Sequence, residues 1–312
     1  MTGPERVRLT AVLVAIGAGW GITQPLSKIA VSTGHPPFGL VFWQLAIGAV
    51  VLGAICVLRG RGLPLGPVHL RLYGLVALVG TLIPNTASYA AIAHLPSGIV
   101  SILLSLVPML AFPIALVLGL DRFSALRLGG LACGLAGVAL IVLPGSGALQ
   151  AVALVWIPVA LIAPLFYAVE GNIVARWGTY GLDPLQVLWG ASLVGAVLAL
   201  PVTLITGVWV DPRPPWGGAE AALVASSVIH GLVYASYVWL VGRAGPVFAG
   251  QAAYLVTGFG LIWAMLLLSE RYSGPVWAAL VLMCAGLFLV QPRRNAALAK
   301  PAPPAQTASS ER

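Results

Sequence analysis

Charged residues are scarce in this sequence: only 8% of its 312 residues are Asp, Glu, Lys or Arg, whereas 60% are hydrophobic. Soluble domains carry roughly a quarter charged residues, so this chain lacks the polar surface that a water-facing globule needs. Its apolar runs are about twenty residues long, without the alternation of apolar and polar residues that marks a membrane β-barrel. The composition therefore predicts an all-α membrane protein.

Cysteine and histidine are also few, with three cysteines and four histidines in the whole chain. Cys56, Cys133 and Cys284 lie inside apolar runs without CxxC spacing, so we expect neither a disulfide nor a metal site. Since no HExxH motif and no Walker A sequence occurs, we predict that the protein is not an enzyme and has no cofactor. The net charge of +8 does not indicate a nucleic-acid partner, because the Lys and Arg residues flank apolar runs instead of forming one basic surface.

The sequence predicts ten transmembrane helices. Each apolar run is close to the ~20 residues that cross a ~30 Å hydrocarbon layer. Short breaks rich in turn residues, such as residues 34–37 and 211–215, separate the runs. The predicted spans are residues 9–30, 38–58, 72–93, 97–118, 126–143, 152–174, 185–206, 219–241, 247–268 and 275–291.

The basic residues predict the orientation of these spans. With the N-terminus inside, all Lys and Arg residues lie on the cytoplasmic side except Lys28, Arg213 and Arg271. This bias predicts an N-in, C-in multi-pass protein of a bacterial-type inner (plasma) membrane. Residues 292–312, which are rich in Pro, Ala and Ser, are predicted to form a disordered cytoplasmic tail.

The two halves of the chain are similar to each other. Asp-Arg-Phe-Ser at residues 121–124 matches Glu-Arg-Tyr-Ser at residues 270–273. We therefore predict two five-helix repeats, residues 1–148 and residues 149–291. Because five is an odd number, the second repeat must enter the membrane from the opposite side, and inverted repeats of this kind are typical of secondary transporters.

These residues make the chain resemble the drug/metabolite transporter superfamily, in its ten-helix EamA-type branch. The resemblance rests on Trp20-Gly21 and Lys28 in the first span, on residues 105–108 and 119–122, and on Glu270-Arg271 in the second half. It implies a secondary-active transporter that exports amino acids or similar small metabolites by alternating access. The chain departs from the family pattern at Asp121, where Glu is usual, and at Thr257, which stands opposite Pro108.

Polar side chains inside the spans mark the predicted cavity, because a charge at the bilayer centre costs at least ~2.5–3.5 kcal/mol. Glu170 and His230 are the candidates for proton coupling, and Glu170 is also a candidate for binding a substrate ammonium group. The structural alternatives are an interfacial carboxylate beside Arg176 and a histidine bonded within the bundle. The predicted cavity residues are Trp20, Gln24, Trp43, Gln44, Asn85, Tyr89, Tyr167, Glu170, His230, Tyr234, Gln251 and Tyr254.

Proline, glycine and one lysine carry further expectations. Pro84 should break the third helix beside Asn85 and free carbonyl groups for a binding site, and Pro108 and Pro113 should kink the fourth helix. Lys28 is expected to snorkel to the interface, or else to attract substrate carboxylates. Gly17-x-x-x-Gly21 and Gly130-x-x-x-Gly134 are expected to let helices pack closely.

Two other functions stay open at this point. The resemblance includes small drug exporters that use a glutamate in their first helix, and Glu170 lies in the first helix of the second repeat, so efflux of drugs or cationic compounds is the first alternative. A polytopic membrane protein without transport activity is the second. The predicted partners are a small-molecule substrate and the lipid bilayer, with the protein a monomer or a dimer.

Overall fold

The computed structural model describes residues 3–142 and 150–290, and every regular element in those ranges is a helix. The predicted tail and the predicted break at residues 144–147 lie outside them. The helices are α1 (Gly3–Val31), α2 (Pro37–Leu58), α3 (Pro67–Ala77), a π-helical segment (Leu78–Leu82), α4 (Ile83–His94), α5 (Ser97–Leu104), α6 (Val107–Val117), α7 (Ala125–Val142), α8 (Gln150–Trp177), α9 (Pro184–Ile205), α10 (Gly218–Ala244), α11 (Pro246–Ala249), α12 (Ala252–Leu268) and α13 (Gly274–Val290).

The predicted all-α membrane architecture is confirmed. Eight helices in the described ranges are long and apolar enough to cross a bilayer, when α3 and α4 count as one helix and α5 and α6 as another. Two further apolar helices, α12 and α13, are shorter. A multi-pass protein follows, whereas the count of ten spans, the inverted repeat and the N-in, C-in orientation stay predictions.

The fourth predicted span is interrupted, not merely kinked. The helix ends at Leu104 and restarts at Val107 after a turn at Ser105 and Leu106. Pro108 then occupies the first turn of α6, where a backbone N–H group would have no partner within the helix. The ninth predicted span is interrupted as well, between Ala249 and Ala252.

The third predicted span contains a π-helical segment just before Pro84, where a break of the helix was expected. Residues Leu78–Leu82 form a π-helical segment, and the N–H of Ile83 donates to the carbonyl of Leu78, five residues earlier. Pro84 follows at once and has no N–H of its own. A wider register before a proline lets the helix continue without the clash of the proline ring.

Helices of the first half, residues 3–142, pack mainly on helices of the second half, residues 150–290. Helix α1 lies against α10 and α12, α2 against α9, α4 against α8, and α7 against α13. The largest hydrophobic cluster contains fully buried side chains from both halves, among them Leu40, Ile92, Ile99 and Met283. Any space at the centre of the bundle is therefore shared between the halves.

The helix ends form two opposite faces. The Lys28 face is defined by residues 32–36, 95–96, 206–217 and 269–273, and the Arg59 face by residues 59–66, 118–124 and 178–183. On the Lys28 face His35 Nε2 lies 2.8 Å from Glu220 Oε1. On the Arg59 face Arg59 pairs with Asp183 at 3.5 Å. Both contacts join the two halves at the α2 side of the bundle.

Both Gly-x-x-x-Gly pairs lie at close helix contacts, as predicted. A Cβ atom on Gly21 would lie 2.8 Å from Phe259 Cβ and 2.9 Å from the backbone nitrogen of Gly260, so α1 and α12 touch through their backbones. A Cβ atom on Gly130 would lie 2.8 Å from the carbonyl oxygen of Gly286 in α13. Small residues at these points allow packing that any side chain would prevent.

Replacing Gly130 by Ala is expected to destabilise the α7–α13 pair by about 1–3 kcal/mol, the usual cost of overpacking. The added methyl group would meet Val290 Cγ2 at 2.6 Å and a backbone oxygen, which cannot rotate away. Thermal unfolding in detergent measures the effect. Gly129→Ala is the matched control, because within the described ranges nothing lies within 4 Å of its Cβ position. Equal midpoints for the two variants would contradict the close contact.

Candidate functional site

A polar cavity lies inside the bundle. It leaves about 70 Å³ open to the centres of water-sized molecules, whereas a single water needs only about 10–15 Å³ by that measure. Helices α1, α2, α4, α5, α8 and α10 form its wall. The lining residues are Thr23, Gln24, Ser27, Gln44, Asn85, Ser88, Tyr89, Leu104, Tyr167, Ser226 and His230. None of these side chains is an acid, a lysine or an arginine, so the described wall is polar but without fixed charge.

A hydrogen-bonded chain orders one side of the cavity. The Tyr167 hydroxyl donates to Asn85 Oδ1, and Asn85 Nδ2 donates to Gln44 Oε1 at 3.0 Å. The chain connects α8 in the second half with α4 and α2 in the first. Because each polar atom in it constrains the next, the three side chains are held in one arrangement.

The α1 side of the cavity presents acceptors. The hydroxyl of Thr23 donates to the Trp20 carbonyl and that of Ser27 to the Thr23 carbonyl, so both donor hydrogens are used within the helix. Gln24 Oε1 is buried and has no hydrogen-bond partner among the described residues. A buried acceptor without a partner is costly, and a ligand that brings an N–H or O–H group would remove that cost.

Aromatic side chains form the wall behind His230. The Trp20 ring lies 6.2 Å from the His230 ring, 6.4 Å from Tyr234 and 5.2 Å from Tyr237, measured between centroids. Trp20 Nε1 is buried without a partner in the described part of the chain. His230 itself lines the cavity, whereas Trp20 and Tyr234 lie outside its lining.

Glu170 lies outside the lined cavity, one helical turn from Tyr167, and packs against the π-helical segment. A Cβ atom on Gly80 would lie 2.7 Å from Glu170 Cδ and within 3 Å of both carboxylate oxygens. Within the described ranges no hydrogen bond or ion pair engages Glu170, and Arg176 is exposed, so the two residues form no ion pair there. The π-helical segment thus provides the space that this carboxylate fills.

Three more predicted cavity residues, besides Trp20, Tyr234 and Glu170, lie outside the lining. Trp43 Nε1 donates at 2.9 Å to the carbonyl of Val210, which lies on the Lys28 face. Gln251 is exposed in the turn before α12. Tyr254 packs against the main hydrophobic cluster. The structure therefore brings together Gln24, Gln44, Asn85, Tyr89, Tyr167 and His230 of the predicted set.

Several lining residues were absent from the sequence prediction. They are Thr23, Ser27, Ser88, Leu104 and Ser226. Ser226 precedes His230 by four residues, and Ser27 follows Gln24 by three, so helical spacing from a predicted residue could have indicated them. Leu104 carried no such signal, because an apolar residue in an apolar span looks like any lipid-facing one.

The fold and the cavity define a class: a multi-pass helical membrane protein with a polar, uncharged internal site. The sequence profile of the EamA-like transporter family matches residues 9–143 and again residues 154–291. The chain belongs to the EamA-like transporter family. This confirms the resemblance stated from the sequence and makes the protein a membrane transporter.

The individual proteins that the chain resembles have low sequence identity to it. The chain is 21% identical over 283 residues to the uncharacterized transporter YoaV of Bacillus subtilis, covering 91% of this chain and 96% of that protein. It is 25% identical over 291 residues to a WAT1-related protein of Arabidopsis thaliana, covering 85% of this chain and 84% of the relative. One crystal structure superposes with a TM-score of 0.63 at 18% identity, over 91% of this chain and 96% of the other.

Tyr167→Phe is expected to reduce transport by about 5- to 100-fold, because it leaves Asn85 Oδ1 buried without its donor at a cost of about 1–3 kcal/mol. The initial rate of substrate uptake into proteoliposomes measures the loss. Tyr180→Phe, at an exposed tyrosine on the Arg59 face, is the control and should transport normally. Wild-type rates in Tyr167→Phe would show that the hydrogen-bonded chain is dispensable.

Proposed function

We propose that this protein is a secondary-active carrier that exports amino acids or similar small metabolites by alternating access. The observation that carries the proposal is the polar cavity at the centre of the bundle, whose wall is contributed by helices of both halves. A site shared in this way can be exposed to either side of the membrane when the halves rock against each other.

The repeat and the orientation belong to the same proposal. The family profile matches the chain twice, in segments of similar length, which supports two five-helix repeats in ten spans. Each predicted span coincides with a helix or with a pair of helices joined by a short turn. The excess of Lys and Arg in alternate loops supports an N-in, C-in orientation in a bacterial-type inner membrane.

The lining favours a neutral or zwitterionic substrate of few heavy atoms. Hydroxyl and amide groups can bind an ammonium or a carboxylate without a fixed countercharge, and Gln24 Oε1 is available to a donor. A ligand with a net charge would have no opposite charge among the described lining residues, and burying it would be expensive. These properties are those of an amino acid.

We propose Glu170 as the residue that couples transport to protons, with His230 as the second candidate. Glu170 lies next to the Tyr167–Asn85–Gln44 chain and against the π-helical segment. Such segments occur frequently at functional sites. A proton gained or lost by this carboxylate would act on the helix that carries Asn85.

Efflux of cationic compounds is the second candidate function. An unpaired carboxylate within the described span α8 favours it, since Glu170 could attract a cation directly. The absence of an acid among the lining residues favours the first candidate. Resistance of an overexpressing strain to amino-acid analogues, compared with its resistance to cationic drugs, discriminates between the two functions.

Glu170→Gln is expected to abolish substrate accumulation driven by a proton gradient while preserving exchange of substrate across proteoliposomes, because the amide cannot release a proton. Accumulation against a concentration gradient and counterflow of labelled neutral amino acids are measured in parallel. Glu5→Gln, at the start of α1, is the control. Full gradient-driven accumulation in Glu170→Gln would remove Glu170 from the mechanism, and the same assay on His230→Gln tests the second candidate.

Gly80→Ala is expected to reduce gradient-driven accumulation by about 10- to 100-fold, the scale of loss for a group displaced by about 1 Å. The methyl group would push aside the carboxylate, which is the mobile end of a side chain, so the protein should still fold. Gly74→Ala, earlier in the same span and with no described atom within 4 Å of its Cβ position, is the matched control. If both variants accumulate substrate equally, the position of Glu170 against Gly80 is irrelevant to coupling.

A further inference from the structure

Glu270 connects the two halves on the Lys28 face. It follows α12, yet its carboxylate binds the start of α5 in the first half. Its Oε1 accepts from the Ser97 N–H at 2.8 Å and from the Ser97 hydroxyl at 2.9 Å, and its Oε2 accepts from the Gly98 N–H at 3.2 Å. The Tyr272 hydroxyl donates to the same oxygen. The carboxylate thus supplies partners for N–H groups that helix α5 cannot satisfy itself.

Lys28 binds the other side of the same turn. Its ammonium group donates to the carbonyls of Ile92, Ala93 and Leu95 at 2.7–3.1 Å, at the end of α4. The ammonium group is therefore held by backbone carbonyls at the end of α4, on the Lys28 face. A cation at the carboxyl end of α4 and an anion at the amino end of α5 both match the helix dipoles. Residues 95–96 are thereby held between two opposite charges.

The contact around Gly98 is close. A Cβ atom at that position would lie 2.1 Å from the Tyr272 hydroxyl oxygen and 2.6 Å from Cζ, so the loop after α12 rests directly on the backbone of α5. Burial and the hydrogen bond to Glu270 raise the pKa of Tyr272, and the hydroxyl keeps the proton that it donates. An open cleft lined by Lys28, Ser32, Ala93, Leu268 and Glu270 lies beside this contact.

The corresponding residue of the first half is engaged differently. Asp121, which matches Glu270 in the internal repeat, accepts from the Arg122 N–H and pairs with Arg127, both in its own half. Glu270 binds across the halves on the Lys28 face, whereas Asp121 binds within one half on the Arg59 face. The matching carboxylates at the two ends of the bundle therefore differ in their partners.

We infer that Glu270 is the latch that closes the cavity toward the Lys28 face, and that its release from α5 opens the cavity on that side. Helices α4 and α5 carry Asn85, Tyr89 and Leu104 into the cavity wall, so a movement of the turn between them changes the site directly. Lys28 is the positioning residue that keeps the turn in place for Glu270. The inference rests on the alternating access proposed above.

Cysteine accessibility in membrane vesicles tests the latch. The probe is Ser88→Cys, in the cavity wall, in a chain whose native cysteines Cys56, Cys133 and Cys284 are replaced by Ala. A membrane-impermeant maleimide is applied separately to vesicles of each orientation. Glu270→Gln is expected to raise the labelling rate from the Lys28 face by at least about tenfold, the effect of losing a charge-assisted hydrogen bond. Labelling from the Arg59 face should not increase.

Asp211→Asn is the matched control, because it removes a carboxylate from the same face. Hydrogen bonds from Arg213 lower the pKa of Asp211 to about 2, so the control removes a negative charge that is present throughout the assay. Tyr272→Phe deletes one donor to Glu270 and should give a smaller increase. Tyr272→Phe also tests the latch if Glu270→Gln does not reach the membrane. Unchanged labelling in both folded variants, or an equal increase in Asp211→Asn, would overturn the latch.

The latch and the proposed function are tested by different measurements, labelling for the first and flux for the second. Increased labelling from the Lys28 face without any gradient-driven or exchange flux would support the latch and overturn the carrier. Normal flux with no change in labelling would support the carrier and overturn the latch.

Discussion

The structure depends on one constraint: inside a bilayer, a backbone N–H or carbonyl group has to find its partner within the protein. Long helices meet this requirement by themselves. At three places where a described helix ends, starts or changes register, another group supplies the missing partners or the sequence removes the need for them. Pro108 has no N–H to satisfy, the register of residues 78–82 widens ahead of Pro84, and Lys28 with Glu270 serves the ends that meet at residues 95–96.

The same constraint explains which features of the structure could be predicted from the sequence. Membrane spans follow from the apolar composition of the sequence. Each predicted span therefore coincides with one helix or with a helix that is interrupted once. Polar residues such as Gln24, Asn85 and His230 stand out in apolar runs and do meet in one cavity. Tertiary contacts hold Trp43 and Tyr254 elsewhere: Trp43 donates to the Val210 carbonyl, and Tyr254 packs against the main hydrophobic cluster. The role of Lys28 could not be read from its spacing, because its partners are backbone carbonyls more than sixty residues away, and any residue type offers the same carbonyl.

Glycines and hydrogen bonds contribute differently to the contact between the halves. Helices approach closely at Gly21 and Gly130, because a glycine places no side chain of its own in the contact. The halves also meet through a shared hydrophobic cluster and through directed hydrogen bonds, such as those of Tyr167 and Asn85 in the cavity and of Glu270 at one face. A hydrogen bond is directional, so it is made or broken as a unit, whereas apolar packing is not directional.

The pairing of α1 with α10 and α12 also bears on how the protein is made. Synthesis delivers α1 well before α10 and α12, so α1 stays without these packing partners until eight further helices have been made. Residues 3–142 and residues 150–290 each bury surface against the other, so neither half is expected to fold alone. A fragment that ends after residue 142 would leave these contact surfaces exposed, as a substrate for membrane quality control.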